Sequence, residues 1–170
     1  MKESDNSSFD WITEEWFRRV RQNQHIHYRC ADYFARLNRM LGLPTIAFST
    51  IVGTAIFASI ERDASGWLRI FIGLISISAA VLASLQTFLG YSERSEKHRI
   101  TSARYAAIRR QLELVRSIPI DNEKYERELA SIKQAMDSTA ESAPQVPQKI
   151  TKKVTQTLEE ISLPQKSLVP

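Results

Sequence analysis

The fold is decided by residues 40–60, MLGLPTIAFSTIVGTAIFASI, and, after the link ERDASGWLR (61–69), by residues 70–92, IFIGLISISAAVLASLQTFLGYS. Neither run holds a charged side chain, although Asp, Glu, Lys and Arg make up 25% of the chain. As helices they would be about 31 and 35 Å long at the helical rise, against a bilayer hydrocarbon core of roughly 30 Å. The short link makes the two helices an antiparallel pair. A soluble bundle with two buried core helices is the alternative, but a core helix of a small domain keeps one polar face. Uninterrupted apolar runs of this length mark membrane spans. No cleaved signal peptide is evident, because the first apolar segment begins forty residues in and lacks the short design of one.

Charge sets the expected orientation. Arg18, Arg19, Arg21, Arg29, Arg36 and Arg39 precede the first span, and Arg94, Lys97, Arg99, Arg104, Arg109 and Arg110 follow the second. The link carries Arg62 and Arg69, offset by Glu61 and Asp63. Basic residues beside short spans stay on the cytoplasmic side, so both termini are expected inside the cell membrane and the tip outside, where a cysteine at Ser65 would be labelled. Trp67 and Tyr91 suit interfacial anchoring. The single cysteine, Cys30, then lies in a reducing compartment without a disulfide partner. The formal net charge of +4 reflects cations placed beside anionic headgroups. No aromatic–glycine RNA motif or zinc-finger spacing points to nucleic acid.

The fold class expected is all-α: a two-pass transmembrane hairpin flanked by long cytosolic amphipathic helices. After a disordered stretch at 1–9, a helix is expected over 10–41, with Asp10, Thr13, Glu14 and Glu15 at its start. Trp16, Val20, Tyr28, Phe34, Leu37 and Leu41 recur along it at mostly helical intervals. Gly42-Leu43-Pro44 punctuates it before a span at about 42–60. A tip at 61–69 and a second span at about 70–92 lead into a cytosolic helix at 93–117, with Gly90 the only weak point in a helix able to run from Ile70 to Ser117. Residues 118–170 form a C-terminal region. Pro119 interrupts, Asp121 caps, and Glu123 to Ala140 carry Tyr125, Leu129, Ile132 and Met136 on one face. A linker at 138–147 precedes an amphipathic stretch with Ile150, Val154, Leu158 and Ile161, which can dock on the bundle, lie on the membrane or pair between subunits. The residues up to Pro170 form a loose tail.

Enzyme signatures are missing: no P-loop, no glycine-rich nucleotide turn, no nucleophile elbow and no paired carboxylates in an apolar setting. The expectation is a protein that is not an enzyme and holds no catalytic residue, metal or cofactor. His25 and His27 point to different helix faces; His27 and Cys30 share a face, but two ligands make a weak metal site. His98, just past the second span, can sense pH or serve structure. Within the spans, Ser76, Ala80, Ser84 and Thr87, with Gly73 and Ala83 nearby, form a stripe of small residues. Ser49 and Gly53 form a small-xxx-small pair beside Thr50 and Thr54. Such stripes permit close helix approach and interhelical hydrogen bonds, either within one hairpin or in an oligomer whose stripe lines a pore. Gln86, the most polar residue of either run, lies about 9 Å from the cytoplasmic end of its span by helical rise and needs a partner helix or water. Spans without ionisable residues argue against a proton relay, voltage sensor or ion-coupled carrier.

Three stretches carry a resemblance: Tyr28-Arg29-Cys30-Ala31-Asp32-Tyr33-Phe34; Ala83-Ser84-Leu85-Gln86-Thr87-Phe88 with Tyr91 to Arg99; and Ala103-Arg104-Tyr105-Ala106-Ala107-Ile108. With the short hairpin, they resemble the SLATT family over about Asp10 to Val115. These are two-transmembrane effector domains associated with bacterial nucleotide-second-messenger and conflict systems. The resemblance implies a membrane effector that assembles and perturbs the membrane when a signal nucleotide, such as a cyclic oligonucleotide, or a partner appears. Growth arrest or death of an infected cell would follow. It brings no catalytic residues; Gln86, Thr87, His98 and Arg99 are the nearest transferable positions, with Arg104 and Tyr105 beside them as signal-receiving candidates. Larger members carry an appended sensor or enzyme domain that is not expected here, which leaves the helices or a separate protein to receive the signal.

The reading is a homo-oligomeric inner-membrane effector that forms a regulated pore or disrupts the membrane. The alternative is a membrane-anchored adaptor that recruits a cytosolic partner without conducting.

Overall fold

A computed structural model describes the backbone at residues 3–60, 66–117 and 121–162, and side chains at 11–56, 66–117 and 121–158. The described residues form five helices: α1 (Glu3–Ile60), α2 (Gly66–Leu89), α3 (Tyr91–Ser117), α4 (Asn122–Glu141) and α5 (Gln148–Ser162). Ser65 at the tip, Pro119 and the tail after Ser162 lie outside the described residues. The chain divides into two compact units, one of Asp32–Ser95 and one of Met1–Ala31 with Glu96–Pro170.

In the Asp32–Ser95 unit, α1 and α2 form the helical hairpin. The less exposed positions of α1 include Leu41, Thr45, Phe48, Val52 and Ala55, and those of α2 are Leu68, Ile72, Ile75, Ala79, Leu82, Gln86 and Leu89. Both sets step by alternating four and three residues, the seam spacing of a left-handed helix pair. Their outward faces are apolar: Ile46, Ile51, Ile70, Phe71, Leu74, Ile77, Val81 and Phe88 are all exposed. Within α1 and the α2–α3 segment, the most apolar windows are 0% and 6% buried. A soluble core helix hides its apolar surface; these two helices hide almost none, as spans facing lipid do.

Several boundaries differ from the sequence expectation, beginning with α1, which starts at Glu3 within the stretch 1–9 expected to be disordered. Gly42-Leu43-Pro44 does not punctuate α1, which runs unbroken from Glu3 with Pro44 inside it. In a membrane a broken helix would strand backbone groups, so prolines are accommodated by local rescue. The carbonyl that Pro44 leaves without an amide donor is that of Met40, and, one position on, the Thr45 hydroxyl donates to the Leu41 carbonyl at 2.7 Å. Conversely, the helix able to run from Ile70 to Ser117 is divided at Gly90, whose φ is +57°. The Gly90 amide donates to the Gln86 carbonyl at 3.3 Å, and the Gly90 carbonyl accepts from the Arg94 amide at 3.0 Å. This is the left-handed cap that ends α2 and starts α3 at the residue best suited to it.

In the other unit, the N-terminal part of α1 packs with α3, α4 and α5. Its core is Val20 of α1, Tyr105, Ile108, Leu112 and Val115 of α3 and Ile132 of α4, with Trp16, Phe17, Tyr125, Ala135 and Met136 against it. Side chains of this size contribute about 1.5–3 kcal/mol each when fully buried, and Val20 and Leu112 are 0% exposed. Around the core, Arg116 pairs with Glu14 at 2.7 Å and lies over the Phe17 ring. Asp121 occupies the extended N-cap position of α4, although its side chain makes no capping hydrogen bond. The helix runs on to Glu141, past the start of the linker expected at 138–147, because Ser138 to Glu141 are compatible with helix and Thr139 is buried. Of the three placements open to the last amphipathic stretch, docking is the one observed. Val154 of α5 is buried, and Gln22 of α1 donates to the Thr155 hydroxyl at 2.9 Å.

Candidate functional site

The candidate residues fall into two groups, one in each unit. In the hairpin, Ser49, Thr50, Thr54, Ser76, Ala80, Ser84 and Thr87 are exposed, and Gly53 is half-buried. They lie off the seam, so the hairpin does not use the small-residue stripe to close on itself. A methyl group built on Gly53 or Gly73 meets nothing within 4 Å. The close approach is made elsewhere: a methyl on Gly42 would lie 3.3 Å from the Gln86 side-chain nitrogen. Gln86 is half-buried, and its amide packs on α1 where glycine leaves room for it. Seam packing is thus the role the hairpin gives Gln86.

Four of the candidate hydroxyls are satisfied within their own helices. Thr50 donates to the Ile46 carbonyl at 2.8 Å, Thr54 to Thr50 at 3.0 Å, Ser84 to Ala80 at 2.9 Å and Thr87 to Ala83 at 3.1 Å. Such back-bonding removes the cost of a stranded donor in hydrocarbon. It leaves each oxygen a lone pair for a neighbouring helix or water. The surface therefore tolerates lipid, a second helix or a wet path.

In the second unit, the four candidates separate. His98 and Tyr105 turn into the bundle, whereas Arg99 and Arg104 are exposed. Arg99 pairs with Glu96 at 2.9 Å, and this hydrogen-bonded contact lowers the Glu96 carboxyl below its ordinary range and raises the guanidinium. Arg104 donates to the Ser142 hydroxyl at 3.0 Å, linking α3 to the end of α4.

His98 meets a residue that the sequence did not connect with it. His27 of α1 places its Nδ1 2.9 Å from Nδ1 of His98, across 71 positions. The rings are 4% and 1% exposed, and Tyr105 stacks on His27 with centroids 5.8 Å apart. Burial, and then the neighbouring His98, pushes His27 down to about 4; burial also lowers His98 and raises Tyr105. A hydroxyl bond from Ser102 to the Gln24 carbonyl, 3.1 Å long, ties the same two helices nearby. Cys30 is buried and free, its thiol pushed up to about 11 by burial. His25 is half-buried, and its pKa is lowered by burial first and then by Arg21, Arg109 and Arg29. Among the described residues, no three His, Cys, Asp or Glu side chains come together as a metal site would require. The pairing was absent from the sequence reading because it is long-range, although the inward register of His98, Thr101, Tyr105, Ile108 and Leu112 follows helical spacing.

Against this geometry, the sequence profile described as SMODS and SLOG-associating 2TM effector domain family 4 matches residues 10–160. The chain belongs to this SLATT family. No curated protein and no solved structure matches it. The two transmembrane segments of a SLATT domain correspond here to the apolar part of α1 and to α2. The match continues beyond the stretches that first suggested it, through α4 and into α5, so the docked C-terminal helices belong to the SLATT domain. The protein is a membrane effector of conflict systems.

Proposed function

We propose that this SLATT protein homo-oligomerises in the bacterial inner membrane, with both termini cytoplasmic, and forms a regulated pore or otherwise disrupts the membrane. The setting would be antiphage defence driven by a nucleotide second messenger, with growth arrest or cell death as the outcome. The protein would act without catalysis, and a cyclic oligonucleotide or a cytosolic sensor partner would switch it on. One observation carries this reading: the stripe Ser76, Ala80, Ser84 and Thr87 lies exposed outside the hairpin seam, with the Ser84 and Thr87 hydroxyls bonded back to their own helix. A hairpin that closes on larger residues leaves its small ones for another copy. Small faces let membrane helices approach closely, and interhelical hydrogen bonds there contribute about 0.6–2 kcal/mol each. Two helices cannot enclose a water path, so several copies are required.

Without an ionisable residue inside the apolar runs, such a pore would be gated by an apolar constriction rather than a charge ring. Any activator must bind the open state more tightly than the closed one.

Leakage from liposomes loaded with ions and dye tests the reading. Ser84→Leu should change leakage while the protein still inserts; unchanged leakage and unchanged toxicity would remove the stripe from the pore. Replacing residues 40–92 with an unrelated hairpin of equal length separates the classes. A pore former loses activity, whereas an adaptor keeps it.

A further inference from the structure

The histidine pair is not used by the pore reading, and its geometry has its own chemistry. Two imidazole nitrogens 2.9 Å apart have room for a single hydrogen between them. One ring must donate from Nδ1 and the other accept at Nδ1, so the neutral pair forms one hydrogen bond. A first added proton goes to Nε2 of the donating ring and leaves a cation in a buried place. A second would go to the accepting Nδ1 and leave two N–H groups facing each other. That state cannot keep the observed separation.

We propose that His27 and His98 form a proton-released clasp between α1 and α3, closed while the pair is neutral and opened by acidification. Among the described residues, Tyr105 of α3 stacks on His27, and Cys30 lies one turn along α1; both are buried. Charged side chains on the surrounding elements turn outward: Arg29 on α1, Lys97 and Arg99 on α3, and Glu128, Lys133 and Asp137 on α4. The buried direction is therefore set by burial and by the rings themselves.

The sign follows from proton linkage. An exposed histidine titrates near 6.5, while His27 in the closed bundle is pushed down to about 4 and His98 is also lowered. The open form thus binds protons more readily. The clasp is fully stable above about pH 6.5 and weakens as pH falls through the interval toward about 4, by about tenfold per pH unit for each histidine that charges. For His27 alone this reaches a factor of about 300 across the interval. His27 and His98 lie close to Ala31 and Glu96, where the chain leaves the bundle unit and re-enters it. The clasp rests on the proposed orientation only for which side it senses: with the bundle cytoplasmic it is a cytosolic-pH input, whether or not the protein conducts.

The test uses the full chain in detergent micelles or nanodiscs. Ring-nitrogen NMR should find both histidines neutral at pH 7 and charging only well below 6.5. Amide exchange, corrected for its intrinsic pH dependence, should lose protection at residues 20–31 and 98–108 over the same interval. The His27→Gln/His98→Gln protein, which cannot titrate there, should keep its protection. Charging of either ring near 6.5 with protection intact would overturn the clasp, as would acid loss of protection in wild type and double variant alike. If the double variant does not fold, the wild-type titration and exchange profile decides by itself.

Discussion

Ala79 and Ala80 are adjacent in sequence, yet the hairpin gives them opposite surroundings. Ala79 is 9% exposed, in the seam, while Ala80 is exposed on the small-residue face. The same enlargement should therefore have two effects. Ala79→Leu forces an isobutyl group into a closed seam beside Leu82 and Ile75, and overpacking of this kind costs about 1–3 kcal/mol. Ala80→Leu adds bulk where the hairpin has none to displace, so its effect on hairpin stability should stay within about 0.5 kcal/mol. What it obstructs is the approach of another helix. Thermal unfolding in detergent, followed by circular dichroism, reads the first effect, and crosslinking with mass determination in nanodiscs reads the second. The expected pattern is a destabilised hairpin for Ala79→Leu, and a stable hairpin with weakened assembly for Ala80→Leu. Equal destabilisation by both, or assembly unaffected by Ala80→Leu, would refute the assignment of seam and outer face.

Other consequences follow from single residues. Gly90→Ala keeps open space around its new methyl but places an L side chain at φ +57°, costing about 1–2 kcal/mol; the strain should destabilise the break or fuse α2 with α3, and unchanged stability and amide exchange around residues 86–94 would contradict this. Ile132→Ala, at a site 1% exposed, should cost about 2–5 kcal/mol in denaturant unfolding of the bundle, and a loss under 1 kcal/mol would show that α4 is not part of the core. Cys30, buried and with its thiol pushed up to about 11, should react with a maleimide at pH 7.5 only on unfolding; rapid labelling of the folded protein would contradict its placement. Glu14→Gln, which breaks the exposed pair with Arg116, should change stability by less than about 1 kcal/mol.

The spans were legible because two long runs without charge leave few alternatives in a chain otherwise rich in charge. Which face of each helix forms the seam was not, for the same reason. Helices apolar all round carry no amphipathic pattern to orient them, and the small residues that looked suited to closing the hairpin lie outside it. Gly42-Leu43-Pro44 suggests a boundary because glycine favours a helix end and proline suits a first turn; inside an apolar run, backbone satisfaction outweighs those preferences. Gly90 is compatible with either continuation or a left-handed cap, and a single glycine does not choose between them. In the bundle, the inward register of α4 followed from three- and four-residue spacing, and Leu129, Ile132, Tyr125 and Met136 lie where that spacing placed them. The meeting of His27 with His98 depends on tertiary packing, which local periodicity does not encode. Docking of α5 through Val154 and Thr155 is of the same kind: amphipathicity showed that a face would be covered, but not by what.

The most direct test of the central claim is ion and dye flux from liposomes containing the purified, confirmed oligomer, with and without a panel of cyclic oligonucleotides. A membrane-perturbing SLATT effector should release the contents, either on addition of one nucleotide or constitutively if control lies with a partner. Intact liposomes under every condition would contradict the pore and favour a membrane-anchored adaptor.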